Sequence, residues 1–451
     1  INAAKSKLDE IPDQSYHAIM KELDMYARLR NIVVRNYNME NATNAALKMY
    51  ELIYQMDLLT NGSAAEKDIS CLPVVNAFCN AELPGAFIIA INHFMKTKCI
   101  TSTFDWIASS YLPEAAMQLG NATILEDRFK IYERNRLHWL MGAAPNGLPE
   151  GEPPITGDVT DPQVVNALGN AAHQRFSEND GANLYTSDVG IEIATADANK
   201  QEELSAFVNF GQILTGLLAL AVGGHFVTKQ FTFVTPFSRS LIAIVASLFD
   251  ETYITKPKTS RPANSEIYLV GKYFKGISPE LAKALLDRCE AYRVLDKLPT
   301  TWGSLLRPDV LARADADILA AAQEVHGEQQ VAFLNEISEV YRINLGGKIK
   351  IPTNYEAQAQ KDWLNENPLV VIASEENLNR ASFQDAAYIP PETQTQAQAQ
   401  APLPPTLQIE EITPELVEDS ILIPEEEPVV EEKEEAEEET AGKKKTIRFN
   451  L

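Results

Sequence analysis

The sequence predicts an α/β layer fold built on a largely parallel sheet. Two observations carry that expectation. From Leu72 to about Phe274, short apolar runs alternate with amphipathic stretches at helical spacing, the pattern of strands joined by crossover helices. Glycine punctuates those runs, in ELPGAF, SDVG and VGGHF, as turn residues do at strand boundaries. The 45 % hydrophobic content is ample for such a core.

In chain order, residues 1–65 read as a helical N-terminal region. ATNAALKMYELIYQMDLL (42–59) spaces its apolar residues for one helix face and carries Lys48 inside it. NGSAAEKD then marks a loop. The strands are LPVVNAF, FDWIASS, ANLYTSD, GHFVTKQF, ETYITK and EIYLVGKYF, within a domain over 66–277. ILTGLLALAVGG (213–224) reads as a buried helix that ends in a glycine turn and feeds the next strand. MGAAPNGLPEGEPPITGDVTDP (141–162) is a Gly/Pro-rich loop, long enough to suggest a function. Ser278-Pro279-Glu280 starts a helix, with a capping serine, proline in the first turn and an acid at the positive end of the dipole. Helices dominate to about residue 345 and a mixed stretch follows, so 278–390 forms a mainly helical C-terminal region. TQTQAQAQAPLPP and EEEPVVEEKEEAEEE are of low complexity, and 391–451 is expected to be a disordered acidic tail.

The formal net charge is −24. The tail holds 16 acidic and 5 basic residues, the remaining 390 residues 47 and 34. Such a body lacks the broad basic footprint of a non-specific nucleic-acid binder, so any RNA must meet a local patch. No run reaches the roughly 18 apolar residues of a membrane span. The opening INAAKSKLDE has neither an initiating Met nor a signal-peptide pattern, which suits a fragment and an intracellular protein. The four cysteines, Cys71, Cys79, Cys99 and Cys289, are irregularly spaced and suit reduced core thiols in a reducing compartment. The histidines show no ligand spacing, so no metal site is expected.

Lys229 stands out. It sits inside GGHFVTKQFTF (223–233), where strand alternation puts it on the face of Val227 and Phe231. An ammonium there is costly unless the site uses it or its stem reaches solvent. In an open parallel sheet, ligands bind at the carboxyl ends of the strands. Three features join Lys229 there: the Pro-Gly turn of NAELPGAFIIAINHF (80–94), Asp188 at the end of LYTSDVG, and Glu266 opening EIYLVGKYF. Each alone has a structural reading as a turn, a helix cap or a solvated strand edge.

Their order resembles a family. GGHFVTKQF followed by FDETYITKPKTSRPANSEIYLVGKYFKG is similar to the closing half of the FtsJ/RrmJ ribose 2′-O-methyltransferases, with Lys256, Pro257, Ser260, Arg261, Ser265, Glu266 and Tyr268 on the pattern. ELPGAFIIAINHF, Asp127-Arg128, His138-Trp139, Gly142 and GDVTD (157–161) are similar to the cap methyltransferase 2 branch, whose relatives include proteins of large DNA viruses. The resemblance covers about 42–275. It implies a Rossmann-like sheet with an antiparallel C-terminal strand, and a Lys-Asp-Lys-Glu tetrad at Lys48, Asp188, Lys229 and Glu266. The family's second loop glycine is here Ala86, and the strand acid is displaced.

The implied reaction is displacement of the methyl group of S-adenosylmethionine by a ribose 2′-oxygen of capped RNA, without a metal. Lys229 is the implied general base, Asp188 and Glu266 orient the lysines, and Lys48 helps to place the ribose. The cofactor is expected along Glu82, Pro84, Gly85, Ala86 and Phe87, with Asp188 beside it and Asp158 as a partner of the adenine amino group or, equally, an Asx-turn. Lys256, Lys258 and Arg261 are the expected phosphate patch. Arg128, Lys130, Arg134 and Arg136 form a second cluster, or a solvated helix face. Two further readings stay open: methylation of ribosomal or transfer RNA, and an inactive methyltransferase-like scaffold or virion protein. Region 278–390 and the tail are candidate docking surfaces for other capping or transcription proteins. The expected location is cytoplasm or nucleus, or a virus factory or virion for a viral chain.

Overall fold

The computed structural model describes residues 2–8, 10–60, 71–112, 127–141, 155–190, 200–295, 298–299, 301–343, 354–379, 407, 409 and 412–421. Six strands form one sheet: β1 Val74–Asn80, β2 Thr103–Ala108, β3 Ala182–Ser187, β4 Leu220–Phe231, β5 Phe249–Thr255 and β6 Glu266–Phe274. Their spatial order is β2-β1-β3-β4-β6-β5. The first four run parallel, and β6 lies antiparallel to both β4 and β5. The expected mixed sheet is therefore found, with each predicted strand in place.

Period-2 alternation divides the core into two faces. Phe78, Tyr185 and Phe226 point into one, covered by α7 (Pro162–Arg175), α8 (Gln201–Ala219) and α9 (Pro236–Leu248), then by α10 (Pro279–Arg293) and α11 (Pro308–Ala322). Cys79, Leu184 and Val227 point into the other. That face is covered by α3 (Leu29–Tyr37), α4 (Asn44–Gln55) and α5 (Ala86–Thr97), and by Trp363 of α13 (Asn354–Glu366). The short helices α1 (Asn2–Ser6) and α2 (Asp13–Leu23) pack through Ala4 and Ile19 on Leu334 and Ile337 of α12 (Glu328–Ile343), while α6 (Ile131–Arg134) lies between β2 and α7 in the chain. Ser278 caps α10 as expected, accepting the Leu281 N–H.

Three expectations need correction. The chain leaves α8 at Ala219 and enters β4 at Leu220, so Gly223 and Gly224 lie inside a strand, beside a register shift against β3, and do not open it. Cys71 and Cys99 are not reduced core thiols but a disulfide pair. Val74 and Thr103 are register partners in parallel strands, so the segments entering β1 and β2 necessarily run side by side. Cys79 and Cys289 are free and buried. The tail also contributes to the fold: Leu407, Ile412 and Val417 are buried in the first core, the last of them from α14 (Pro414–Glu418). Leu407 donates to the Thr252 carbonyl, and Arg307 donates to that of Ser420. Apolar residues spaced among the glutamates provide anchors that overall composition hides. Residues 142–154 of the long loop and the basic cluster at 443–445 lie outside the described residues. No described helix is long and apolar enough to cross a membrane.

Candidate active site

Chain order reverses between β1 and β3, and a crevice opens at their carboxyl ends. Asn80 ends β1 and Ser187 ends β3, so the loops after them, Ala81–Ala86 and Asp188–Gly190, form its walls. β6 runs antiparallel to β4 with Phe231 opposite Glu266, which brings the first residue of β6 to the carboxyl end of β4. Glu266 therefore arrives near Lys229 although 36 residues of a hairpin-like excursion intervene.

The four side chains form two ion pairs. Lys229 Nζ lies 3.0 Å from Asp188 Oδ1 and also donates to the Asp188 carbonyl at 3.0 Å. Lys48 Nζ, from α4, lies 2.5 Å from Glu266 Oε1. Lys229 is 9 % exposed, which excludes the solvent-seeking reading of its stem. Its backbone is fixed as well, since Gln212 of α8 donates to the Lys229 carbonyl at 2.8 Å. Burial by itself pushes the Glu266 carboxyl toward the neutral form; Lys48, then Lys229, outweigh it and hold the group below the usual carboxylate range. Ser260 donates a further hydrogen bond to Glu266 Oε1 at 2.8 Å, and Tyr268 donates to Asp188 Oδ1 at 3.4 Å.

The β1 loop is built around Glu82 and Gly85. Glu82 Oε1 accepts the N–H groups of Phe87 and Ile88 at 2.8 and 2.9 Å, satisfying two free donors in the first turn of α5. Gly85 has φ +109°, and a Cβ there would stand 2.9 Å from Ile131 Cγ1, so both conformation and space call for glycine. Burial pushes Glu82 up to about 8, opposed by the N–H groups of Ile88 and Phe87, with the neighbouring Asp188 adding to the rise. The sign of the linkage follows. A carboxyl whose proton is held more tightly in the folded state contributes stability below its unfolded value near 4.5, and that stability is lost as pH rises to about 8. Denaturant titrations from pH 5 to 7, below the range where Lys256 titrates with the opposite sign, should show a stability loss in the wild type that is steeper than in Glu82→Gln by up to about 1.4 kcal/mol per pH unit. Parallel pH profiles for the two proteins would refute the role of Glu82.

The crevice has a volume near 510 Å³. Glu82, Leu83, Pro84, Ala86, Phe87, Asp188 and Lys229 line it together with Arg30, Thr43, Asn44, Ala45 and Arg128. Arg30 and the start of α4 gave no signal beyond the Thr43 cap, whose hydroxyl accepts the Ala46 N–H. Glu51, fully buried one turn beyond Lys48, was likewise not singled out. Its carboxylate accepts from Trp363 Nε1 at 2.9 Å, from Thr259 Oγ1 at 3.0 Å and from the Lys258 and Thr259 N–H groups.

The expected phosphate patch does not line the crevice. Lys256 Nζ donates to the Asn264 carbonyl, Asn264 Oδ1 and the Glu266 carbonyl at 3.0, 2.9 and 2.6 Å. Burial lowers it to about 7, against the pull of Glu266 and with the repulsion of Lys48. It braces the chain entering β6. Lys258 pairs with Glu366 at 2.6 Å, and Arg261 lies beside Met20, Leu23 and Phe333. Asp158 is occupied as an Asx-turn, accepting the Thr160 N–H and hydroxyl at 2.9 and 2.6 Å, and it is not in the crevice lining. Trp106 is core, stacked on His138 at 4.4 Å. In the second basic cluster Lys130 pairs with Glu133, Arg136 stacks on Tyr132, and only Arg128 reaches the crevice.

Comparison with known proteins agrees with this architecture. A probable methyltransferase of African swine fever virus is 35% identical over 396 residues, covering 85% of each chain. An uncharacterized protein of Acanthamoeba polyphaga mimivirus is 27% identical over 352 residues, 78% of this chain and 40% of that one. The cap-specific mRNA (nucleoside-2′-O-)-methyltransferase 2 of Drosophila melanogaster is 27% identical over 287 residues, 63% of this chain and 37% of that protein. A sequence model described as FtsJ-like methyltransferase matches residues 42–274, from the start of the Lys48 helix region to the end of β6. With that span and the viral relative matched along most of both lengths, the chain belongs to the FtsJ-like methyltransferase family.

Proposed function

We propose that the protein methylates the ribose 2′-oxygen of a cap-proximal nucleotide of mRNA, with S-adenosylmethionine as donor. The supporting observation is the meeting of Lys48, Asp188, Lys229 and Glu266, drawn from 218 residues of chain, beside one crevice at the sheet's switch point. The relatedness to a cap-specific 2′-O-methyltransferase narrows the acceptor.

The crevice suits the donor. Its wall carries two acids, Glu82 and Asp188, appropriate to a ligand with cationic sulfur and ammonium groups, and the left-handed Gly85 lets backbone approach closely. When bound, S-adenosylmethionine supplies an electrophilic methyl group on a sulfonium. The chain's own residues do the rest. Lys229 first gives up its own proton to solvent, and as the free amine it takes the proton from the 2′-hydroxyl as the oxygen attacks, the role of a positioned general base. Asp188 holds the Lys229 amine through both its carboxylate and its carbonyl. Glu266, anchored by Ser260, holds the Lys48 ammonium, which orients the ribose. The gain comes from positioning four groups before the reaction begins.

The test is mass mapping of methyl groups on a short capped RNA after incubation with protein and donor. The expected result is one methyl group on the ribose of the first or second nucleotide after the cap, and none on the uncapped RNA. Equal modification of both RNAs would place the substrate among other RNAs. No methyl transfer together with no calorimetric donor binding would sink the enzymatic reading in favour of a scaffold.

A further inference from the structure

A polyanion approaching this chain meets net negative charge, so its phosphates need cations that are not already neutralised. Around the crevice most cations are engaged. Lys48, Lys229 and Lys258 are ion-paired, and Lys256 is enclosed by oxygen acceptors. Two lining arginines differ. Arg30 and Arg128 are both exposed, and among the described residues neither has a carboxylate within ion-pair distance.

The helix that carries Arg30 is held in place although the side chain is exposed. It lies in the first turn of α3, flanked by Leu29 and Val33, which are fully buried in the second core. The helix therefore cannot rotate the arginine away without exposing both. Arg128 stacks on Phe129, 4.8 Å from the ring centre. Arg30 lies outside residues 42–274, so the family match says nothing of it.

We propose that Arg30, together with Arg128, forms a phosphate-binding rim that grips the backbone of single-stranded RNA beside the nucleotide entering the crevice. This rests on the function proposed above, which assigns the Glu82–Phe87 loop and Asp188 to the donor and leaves the remaining lining residues, among them Arg30 and Arg128, to the acceptor. The guanidinium fork matches two phosphate oxygens at once and keeps its charge at any working pH. Such contacts set register without reading sequence.

The test is fluorescence anisotropy of a short capped RNA against salt concentration, for the wild type, Arg30→Gln, Arg128→Gln and Arg30→Lys. Each Gln variant should weaken binding alike across RNA sequences and reduce the log–log salt slope by about 0.7, one phosphate contact on a single strand. Arg30→Lys should keep the slope. Donor affinity by calorimetry and the thermal midpoint should not change. An unchanged slope in Arg30→Gln overturns the proposal and leaves the function standing, provided the wild type methylates capped RNA. A loss of donor affinity with the slope intact overturns it too, by assigning Arg30 to the donor's carboxylate. A wild type that binds no RNA overturns both readings.

Discussion

Lys229→Arg is expected to fold, bind donor and RNA, and lose methyl transfer by about 10²–10⁴-fold in kcat, the usual contribution of a positioned general base. The arginine retains a positive charge opposite Asp188, so the ion pair that holds β4 to the β3 loop survives. It cannot give up its proton in a protein, so it cannot receive one from the 2′-hydroxyl. Lys229→Met makes the complementary change, keeping the stem and deleting the amine, and should be equally inactive. Pre-steady-state rates with saturating donor separate chemistry from binding. If Lys229→Arg keeps more than a tenth of the wild-type rate with donor affinity unchanged, the base lies elsewhere and the tetrad is an electrostatic frame only.

Glu51→Ala should produce the largest loss of stability, about 3–5 kcal/mol, as expected when a buried acceptor is removed and several of its donors stay behind unsatisfied. Glu51 is 1 % exposed, and four donors converge on it from two distant parts of the chain. These are the N–H groups of Lys258 and Thr259, the Thr259 hydroxyl and the Trp363 indole. Removing the carboxylate strands all of them where water does not reach. It also loosens the loop that delivers Ser260 to Glu266, and the helix that delivers Lys48. Activity measured well below the melting temperature should therefore fall in kcat, with donor affinity preserved. Trp363→Phe removes one donor and should cost about 1 kcal/mol. Guanidinium denaturation of the two variants tests the ranking. A Glu51→Ala protein within 1 kcal/mol of wild type would show that this junction does not hold the site.

Glu51 also explains why α13 belongs to the active-site architecture despite its distance along the chain. Trp363 is fully buried and reaches the same carboxylate as the loop beside β6. The helical region after β6 thus covers both sheet faces, through Leu281, Leu285 and Val310 on one and Trp363 and Leu369 on the other.

Much of this was readable from local chemistry. Six strands, the Ser278 cap, the Gly85 turn and the presence of an awkward lysine in β4 follow from propensities and spacings that act over a few residues. Family resemblance added which four residues to watch. What the sequence could not determine is partnership. Lys48 meets Glu266 because β6 turns antiparallel to β4, and Lys229 meets Asp188 because β3 and β4 pair in parallel with Ser187 opposite Thr228, choices made by packing between residues 218 and 41 positions apart. The same holds for the losses. Lys256 looks like a phosphate ligand until carbonyls enclose it, and Asp158 looks like an adenine partner until Thr160 claims it. Cys71 and Cys99 look unrelated until adjacent strand entries bring them together. Residues 407–421 look like tail until three apolar side chains find a core. Local sequence sets conformation over a turn or a strand, whereas charge pairing and burial depend on what the folded chain brings alongside, and only the tertiary structure decided that.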